Sequence, residues 1–189
     1  MITQLGYDSR KLDDLLKFMA LRKLDVPVLA NVFILTPATA RYYHRGAVPG
    51  VVVSDALLAV AEKQACSRDK GKKFFHEFAA QQIAIARGLG YRGAYLGGHV
   101  KPAEFQAIFD LADSYGVDDW RTFAREIQFG QPGEFYLFEQ DAETQLGSTE
   151  INRAYRRSCT ASARRRSRDS VPAAYKLNRT LHAHVFAPG

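Results

Sequence analysis

Cysteine is scarce in this 189-residue chain, and the usual targeting signals are missing. The two cysteines, Cys66 and Cys159, lie far apart and without metal-ligand spacing. That pattern argues against a disulfide scaffold and fits a reducing compartment. There is no run of about 18 apolar residues, and the N-terminus lacks the basic and apolar pattern of a signal peptide. We therefore expect a cytoplasmic protein with no membrane partner.

Acidic residues are absent between Ile151 and Arg168, and this stretch accounts for the positive charge of the chain. The formal net charge is +6, and the stretch contains seven arginines, without which the net charge would be −1. Basic clusters can bind phosphate backbones by releasing counterions. This cluster has only Tyr155 nearby for base stacking, so we interpret it as a solvated linker and do not expect nucleic acid as a partner.

Strand and helix patterns alternate over the first two thirds of the chain. The strand patterns cover residues 2–7, 28–35 and 94–96, and the second is the near-continuous apolar run of a strand buried on both faces. A helix pattern capped by Asp8 or Ser9 has its apolar face over residues 12–19, further helix patterns cover residues 38–44, 54–65 and 73–89, and another begins at Pro102. This order predicts an α/β fold with parallel strands and right-handed crossovers. Three such strands cannot bury both faces of a sheet, so the pattern also predicts that strands are missing.

Candidate ligand residues follow the ends of the three predicted strands. Ligands of parallel α/β folds sit at the carboxyl ends of the strands. That rule selects residues 4–8, 31–36 and 97–101. His182 and His184 fall on different sides of any helix, and no other spacing suits a metal, so no metal site is expected.

The order of several short motifs resembles methylenetetrahydrofolate reductases. The motifs are Ile2-Thr3-Gln4-Leu5-Gly6-Tyr7-Asp8, Val26-Pro27-Val28, Leu35-Thr36-Pro37, Val48-Pro49-Gly50 and the segment 89–96. Residues 1–116 are similar to strands six to eight of that (βα)8 TIM-type barrel, which takes about 250 residues in full. The segments 131–138 and 175–186 are similar to bacterial members that have an extra C-terminal region.

The resemblance implies a domain organisation in three parts. Residues 1–139 would be about three βα units from the C-terminal portion of the barrel, with a C-terminal extension. Residues 140–171 are predicted to be a flexible linker rich in Arg and Ser, and residues 172–189 the start of a truncated C-terminal region with a short helix. The missing N-terminal half of the barrel, or an oligomer partner, would supply the other strands.

The resemblance also implies a flavoenzyme of one-carbon and methionine metabolism. FAD would take hydride from NAD(P)H and pass it to 5,10-methylenetetrahydrofolate, giving the 5-methyl product. By resemblance Gln4, Lys101 and Asp55 are the candidate folate-binding residues, because an amide suits a polar pterin edge and a lysine suits the acidic portion. His99 and Tyr7 are weaker candidates for the cofactor. Plainer roles stay open: backbone hydrogen bonding for Gln4, a helix start for Asp55, a solvated lysine or loop histidine for Lys101 and His99, and core packing for Tyr7.

The carboxylates and most flavin contacts of the family lie on strands that precede the Ile-Thr-Gln strand. This chain contains none of them, and it has no glycine-rich dinucleotide fingerprint. We therefore expect no catalytic residue in this fragment and no activity from it alone. Two alternatives stay open: a folate-dependent methyl-transfer barrel enzyme that needs no FAD, and a non-catalytic partner subunit that completes a barrel in trans.

Overall fold

The computed structural model describes residues 1–153, which form six helices and two small sheets. The helices are α1 (Ser9–Leu21), α2 (Pro37–His44), α3 (Asp55–Ala65), α4 (Lys72–Leu89), α5 (Pro102–Ser114) and α6 (Asp119–Glu126). The strands are β1 (Leu29–Phe33), β2 (Gly93–Gly97), β3 (Phe138–Gln140) and β4 (Gly147–Ile151). The predicted α/β class is confirmed. Most of the predicted linker and the whole predicted C-terminal helix lie outside the described residues.

The parallel sheet is shorter than the sequence predicts. Strands β1 and β2 pair in parallel, with Asn31 opposite Tyr95. The predicted strand at residues 2–7 is reduced to one parallel bridge between Ile2 and Leu29. The pairing stops early because the backbone N–H of Leu5 donates to the side-chain oxygen of Gln4. In a longer strand that N–H would donate to β1 instead. The order along the sheet is still sequential, from the Ile2 segment to β1 and then to β2.

The helices that surround this sheet begin at residues whose side-chain oxygens cap the first helical turn. Asp8 accepts the N–H of Arg10 at the start of α1, at 3.0 Å. Thr36 and Thr39 form a capping box at the start of α2, and Ser54 caps α3. These contacts satisfy backbone N–H groups that the first helical turn leaves without partners. The helix starts therefore follow directly from the local sequence.

Helices cover one face of the β1–β2 sheet. Val32 and Ile34 are buried against a cluster that includes the alanines of α4 and Ile108 of α5. The alternate residues of β1, such as Asn31, are only half-buried, and the neighbouring Tyr95 is 55% exposed. A parallel sheet is normally covered on both faces. The described residues therefore form half of a layered α/β arrangement, and they do not close a barrel.

A second small sheet occupies the start of the predicted linker. Strands β3 and β4 pair with each other, and the N–H of Asp141 donates to the carbonyl of Leu146 at 2.9 Å across the turn between them. Leu146 is buried, and Asp13 of α1 accepts the N–H of Gly147 at 2.8 Å. Residues 140–151 are thus folded because a distant helix supplies their hydrogen-bond partners, which their own polar composition does not reveal.

Candidate functional site

A cleft of about 350 Å³ runs along residues 3–8 and the first turns of α1. Two of the predicted site residues, Gln4 and Tyr7, line this cleft, which we call the N-terminal cleft. Lys11 and Glu134 lie at its border and form an ion pair of 2.9 Å.

Gln4 is exposed, and its amide already makes two hydrogen bonds. Its Nε2 donates to the carbonyl of Pro49 at 3.3 Å, and its Oε1 accepts the N–H of Leu5 at 3.0 Å. A primary amide has two N–H donors and two acceptor positions. One donor and one acceptor position of Gln4 therefore remain for a ligand in the N-terminal cleft.

Tyr7 belongs to the apolar core as well as to the border of this cleft. Its side chain is 2% exposed, and its ring stacks on Phe78 with 6.1 Å between the centroids. The hydroxyl has no hydrogen-bond partner in the described structure. Burial, with a smaller contribution from Tyr43, raises the pKa of the Tyr7 hydroxyl far above its ordinary value. Tyr7 is therefore neutral at physiological pH and packs as an aromatic core residue.

Asp8, which lines this cleft together with Glu134, contacts Tyr136 of the C-terminal extension. The Asp8 Oδ2 atom accepts the hydroxyl of Tyr136 at 2.5 Å, and the guanidinium of Arg10 lies 3.9 Å from the Tyr136 ring centroid. Burial first, and then Asp8, raise the pKa of the Tyr136 hydroxyl. These contacts hold the extension on α1 and occupy the Oδ2 atom of Asp8.

A second cleft, of about 590 Å³, lies at the carboxyl ends of β1 and β2. We call it the strand-end cleft. Its floor is apolar and includes the buried residues Ile34, Leu35 and Phe75. His99 lies on its rim, exposed, with its ring edge-on to Phe33 at 6.3 Å between centroids.

The rim of the strand-end cleft includes residues that the sequence analysis did not select. They are Arg41, Asp69, Lys70, Lys72, His76 and Glu104. Most of them precede β2 in the chain, in the turn before α4 and in its first turns. Because α4 leads into β2 and packs along it, the helix begins near the end of the strand that it precedes. That topological rule would have identified His76 and Lys70.

Lys101 and Asp55 line neither cleft. Lys101 is the exposed N-cap of α5, and its backbone N–H donates to Glu104 at 2.8 Å. Asp55 opens α3 with its side chain 92% exposed, 3.6 Å from the Nε2 atom of His44. The structure thus brings Gln4 and Tyr7 to one cleft and His99 to another, and leaves Lys101 and Asp55 apart from both.

Residues 1–153 contain neither a candidate metal cluster nor a candidate membrane-spanning helix. No three His, Cys, Asp or Glu side chains in this range come together as a metal site. None of the helices in the described range is long and apolar enough to cross a membrane.

Comparison of the chain with models of protein families, with curated proteins and with solved structures finds no match in any of the three. No family is assigned on that basis, and the function has to be argued from the clefts and the sheet.

Proposed function

We propose that the chain is part of a flavin-dependent methylenetetrahydrofolate reductase and supplies a folate-binding wall of its barrel. The observation that supports this most is the place of Gln4. It follows the first of three sequential parallel segments and lines a cleft with one donor and one acceptor position to spare. An amide in that state can pair with both a donor and an acceptor on the edge of a pterin.

The arrangement of the sheet also supports a barrel. Consecutive βα units of a barrel place each strand beside the next and put the helices on the outer face. The Ile2 segment, β1 and β2 follow that order, and the helical cover lies on the face that buries Val32. In this proposal the half-exposed face with Asn31 and Tyr95 is the inner face of the barrel.

The residues described do not fit FAD by themselves. Ligands of a barrel bind at the carboxyl ends of its eight strands, and the described residues supply only the Ile2 segment, β1 and β2 of a parallel sheet. The role that we propose for this chain is to bind and orient the folate, and FAD would be held mainly by other strands of the barrel.

The test of this proposal is folate binding by the purified chain. Isothermal titration with 5-methyltetrahydrofolate is expected to show binding, and Gln4→Glu is expected to weaken it by about 10-fold or more, because the N–H donor is lost and a charge replaces it. Gln106→Glu, on the exposed surface of α5, is the matched control and should leave the affinity unchanged. Equal affinities for the Gln4 and Gln106 variants, or no binding, would contradict the proposal.

A non-catalytic subunit that completes a barrel in trans is a second candidate. It is favoured by Tyr95, which is 55% exposed in the middle of a parallel strand, a position that is normally covered. Co-purification with a separate chain that carries the preceding βα units, and flavin absorbance only in the mixture, would support this alternative. A folate-dependent methyl-transfer enzyme would instead keep the Gln4 dependence without any flavin absorbance.

A further inference from the structure

The strand-end cleft combines an apolar floor with a charged rim, and the proposed folate wall does not use it. Ile34 is 2% exposed, and Leu35 and Phe75 below the cleft are buried to the same degree. Small-molecule sites in proteins typically have such apolar walls with a few polar groups that fix orientation. The place of the cleft, at the carboxyl ends of two parallel strands, is where α/β folds bind ligands.

Several charges on the rim are already neutralised within the protein. Lys72 forms a close ion pair with Glu104, and Arg41 pairs with Glu62 at 2.9 Å to each carboxylate oxygen. Because these cations have protein partners, they contribute little net charge to the cleft.

The carboxylate of Asp69 is likewise used by the turn before α4. It accepts the N–H of Gly71 at 3.1 Å, the N–H of Lys73 at 2.8 Å and the hydroxyl of Ser67 at 2.8 Å. Its negative charge is thus stabilised locally by three donors. Within residues 1–153 no ion pair is formed by Lys70, His76 or His99, although His76 lies near enough to Glu104 to help lower the pKa of that carboxyl. These three side chains therefore remain the candidates for binding a ligand.

The backbone of Lys70 has φ +54°, in the left-handed region that favours glycine. Residues in such conformations concentrate at functional sites, and an observed outlier is a reason to look for a function. The side chain of Lys70 lines the cleft from this turn, whereas His76 comes from α4 and His99 from the loop after β2. Polar groups from three separate segments can contact different oxygens of a phosphate, and lysine commonly binds phosphate as a point charge.

We propose that the strand-end cleft binds a phosphate-bearing small molecule with an apolar ring portion. Lys70, His76 and His99 hold the phosphate, and the ring portion lies on Ile34 and Phe75. The ammonium of Lys70, which has no ion pair within residues 1–153, offsets part of the phosphate charge, and the ring covers the apolar floor. This site shares no lining residue with the N-terminal cleft, so the proposal does not depend on the proposed folate wall.

The first test uses nuclear magnetic resonance of the histidine rings in the full chain. Adenosine 5′-monophosphate is the probe, with inorganic phosphate and adenosine as its two parts. Saturable shifts of the His76 and His99 signals are expected with the monophosphate and, more weakly, with phosphate alone. The His44 ring bonds the Val53 carbonyl at 2.9 Å and should not move. Adenosine binding as tightly as the monophosphate, or shifts at His44 equal to those of the other two, would overturn the proposal.

The second test compares Lys70→Gly with Lys23→Gly. Lys23 is a matched control because it is exposed, has φ +53°, and does not line the cleft. Glycine relieves the left-handed conformation at both positions, so both variants should fold at least as stably as the parent. Lys70→Gly is expected to weaken monophosphate binding by about 10-fold, and Lys23→Gly to leave it unchanged. Equal affinities for the two variants, or no binding by the parent at about 10 mM probe, would overturn the proposal.

Discussion

At the scale of single residues, Asp14 is the least well accommodated carboxylate in the described structure. It is buried on α1, where its Oδ2 atom accepts the N–H of Leu137 at 2.7 Å and its Oδ1 atom has no partner among the described residues. Burial raises the pKa of Asp14, and the backbone N–H groups and Arg10 offset only part of that shift. The folded protein therefore holds the Asp14 proton more tightly than the unfolded chain does.

The sign of this shift predicts how stability depends on pH. The contribution of Asp14 is fully present below the ordinary carboxyl pKa of about 4 and is lost as pH rises through its raised value. Asp14→Asn cannot ionise and keeps an oxygen for Leu137, so it should be more stable than the parent at pH 7. Urea unfolding from pH 3.5 to pH 8 should show that advantage shrink toward the acid end. Asp113→Asn, at an exposed ion pair with Arg87, is the control and should change stability by less than about 1 kcal/mol. An advantage of Asp14→Asn that stays constant with pH would contradict the prediction.

At the scale of elements, α4 and α6 meet where a glycine faces an indole. A Cβ atom added to Gly88 would lie 2.2 Å from two ring atoms of Trp120, far inside any real contact. Alanine normally stabilises a helix relative to glycine by about 1 kcal/mol. Because the Trp120 ring also packs against the core, the overlap should dominate, and Gly88→Ala should destabilise the protein by about 1–3 kcal/mol.

Urea unfolding measures this effect directly. Gly6→Ala is the matched control, because nothing lies within 4 Å of its added Cβ atom. A Gly88→Ala protein as stable as the parent would show that α6 can shift away from α4 without loss.

The elements also show how far the sequence alone predicts this fold. The helices were predictable because Asp8, Thr36 and Ser54 cap them locally and their apolar spacing repeats within each helix. The strand at residues 2–7 was overpredicted, because pairing depends on a neighbouring strand and not on local propensity. Strand β4 was missed because its anchor, Asp13, lies more than one hundred residues earlier in the chain.

The candidate site was only partly predictable for the same reason. The strand-end rule selected Gln4 and His99, and both line clefts, since that rule depends only on the order of strands and helices. It did not find His76 or Lys70, which reach the strand-end cleft from the helix that precedes β2 and from the turn before it. Finding those residues needs a second rule, that the helix leading into a parallel strand begins near the carboxyl end of that strand, which the strand-end rule does not include.

At the scale of the whole molecule, the parallel sheet has one face with little cover. Tyr95 stands on that face beside Asn31, with unpaired sheet edges on either side of the described strands. Unpaired edges and exposed apolar surface promote association with another chain. We therefore expect the purified protein to associate through this face when no other strands are supplied.

Tyr95→Lys tests this expectation, because a charge on the open face makes burial of that face against another chain unfavourable. The fold should accept the lysine, because the side chain at this position is 55% exposed. Sedimentation velocity between about 1 and 100 μM should show association of the parent that Tyr95→Lys reduces several-fold, with circular dichroism unchanged. Val117→Lys is the control, since Val117 is 88% exposed in the turn between α5 and α6 and belongs to neither strand of the sheet. If the parent stays monomeric throughout, or if both variants behave alike, the open face is not an interface, and the barrel-completing role loses its main structural support.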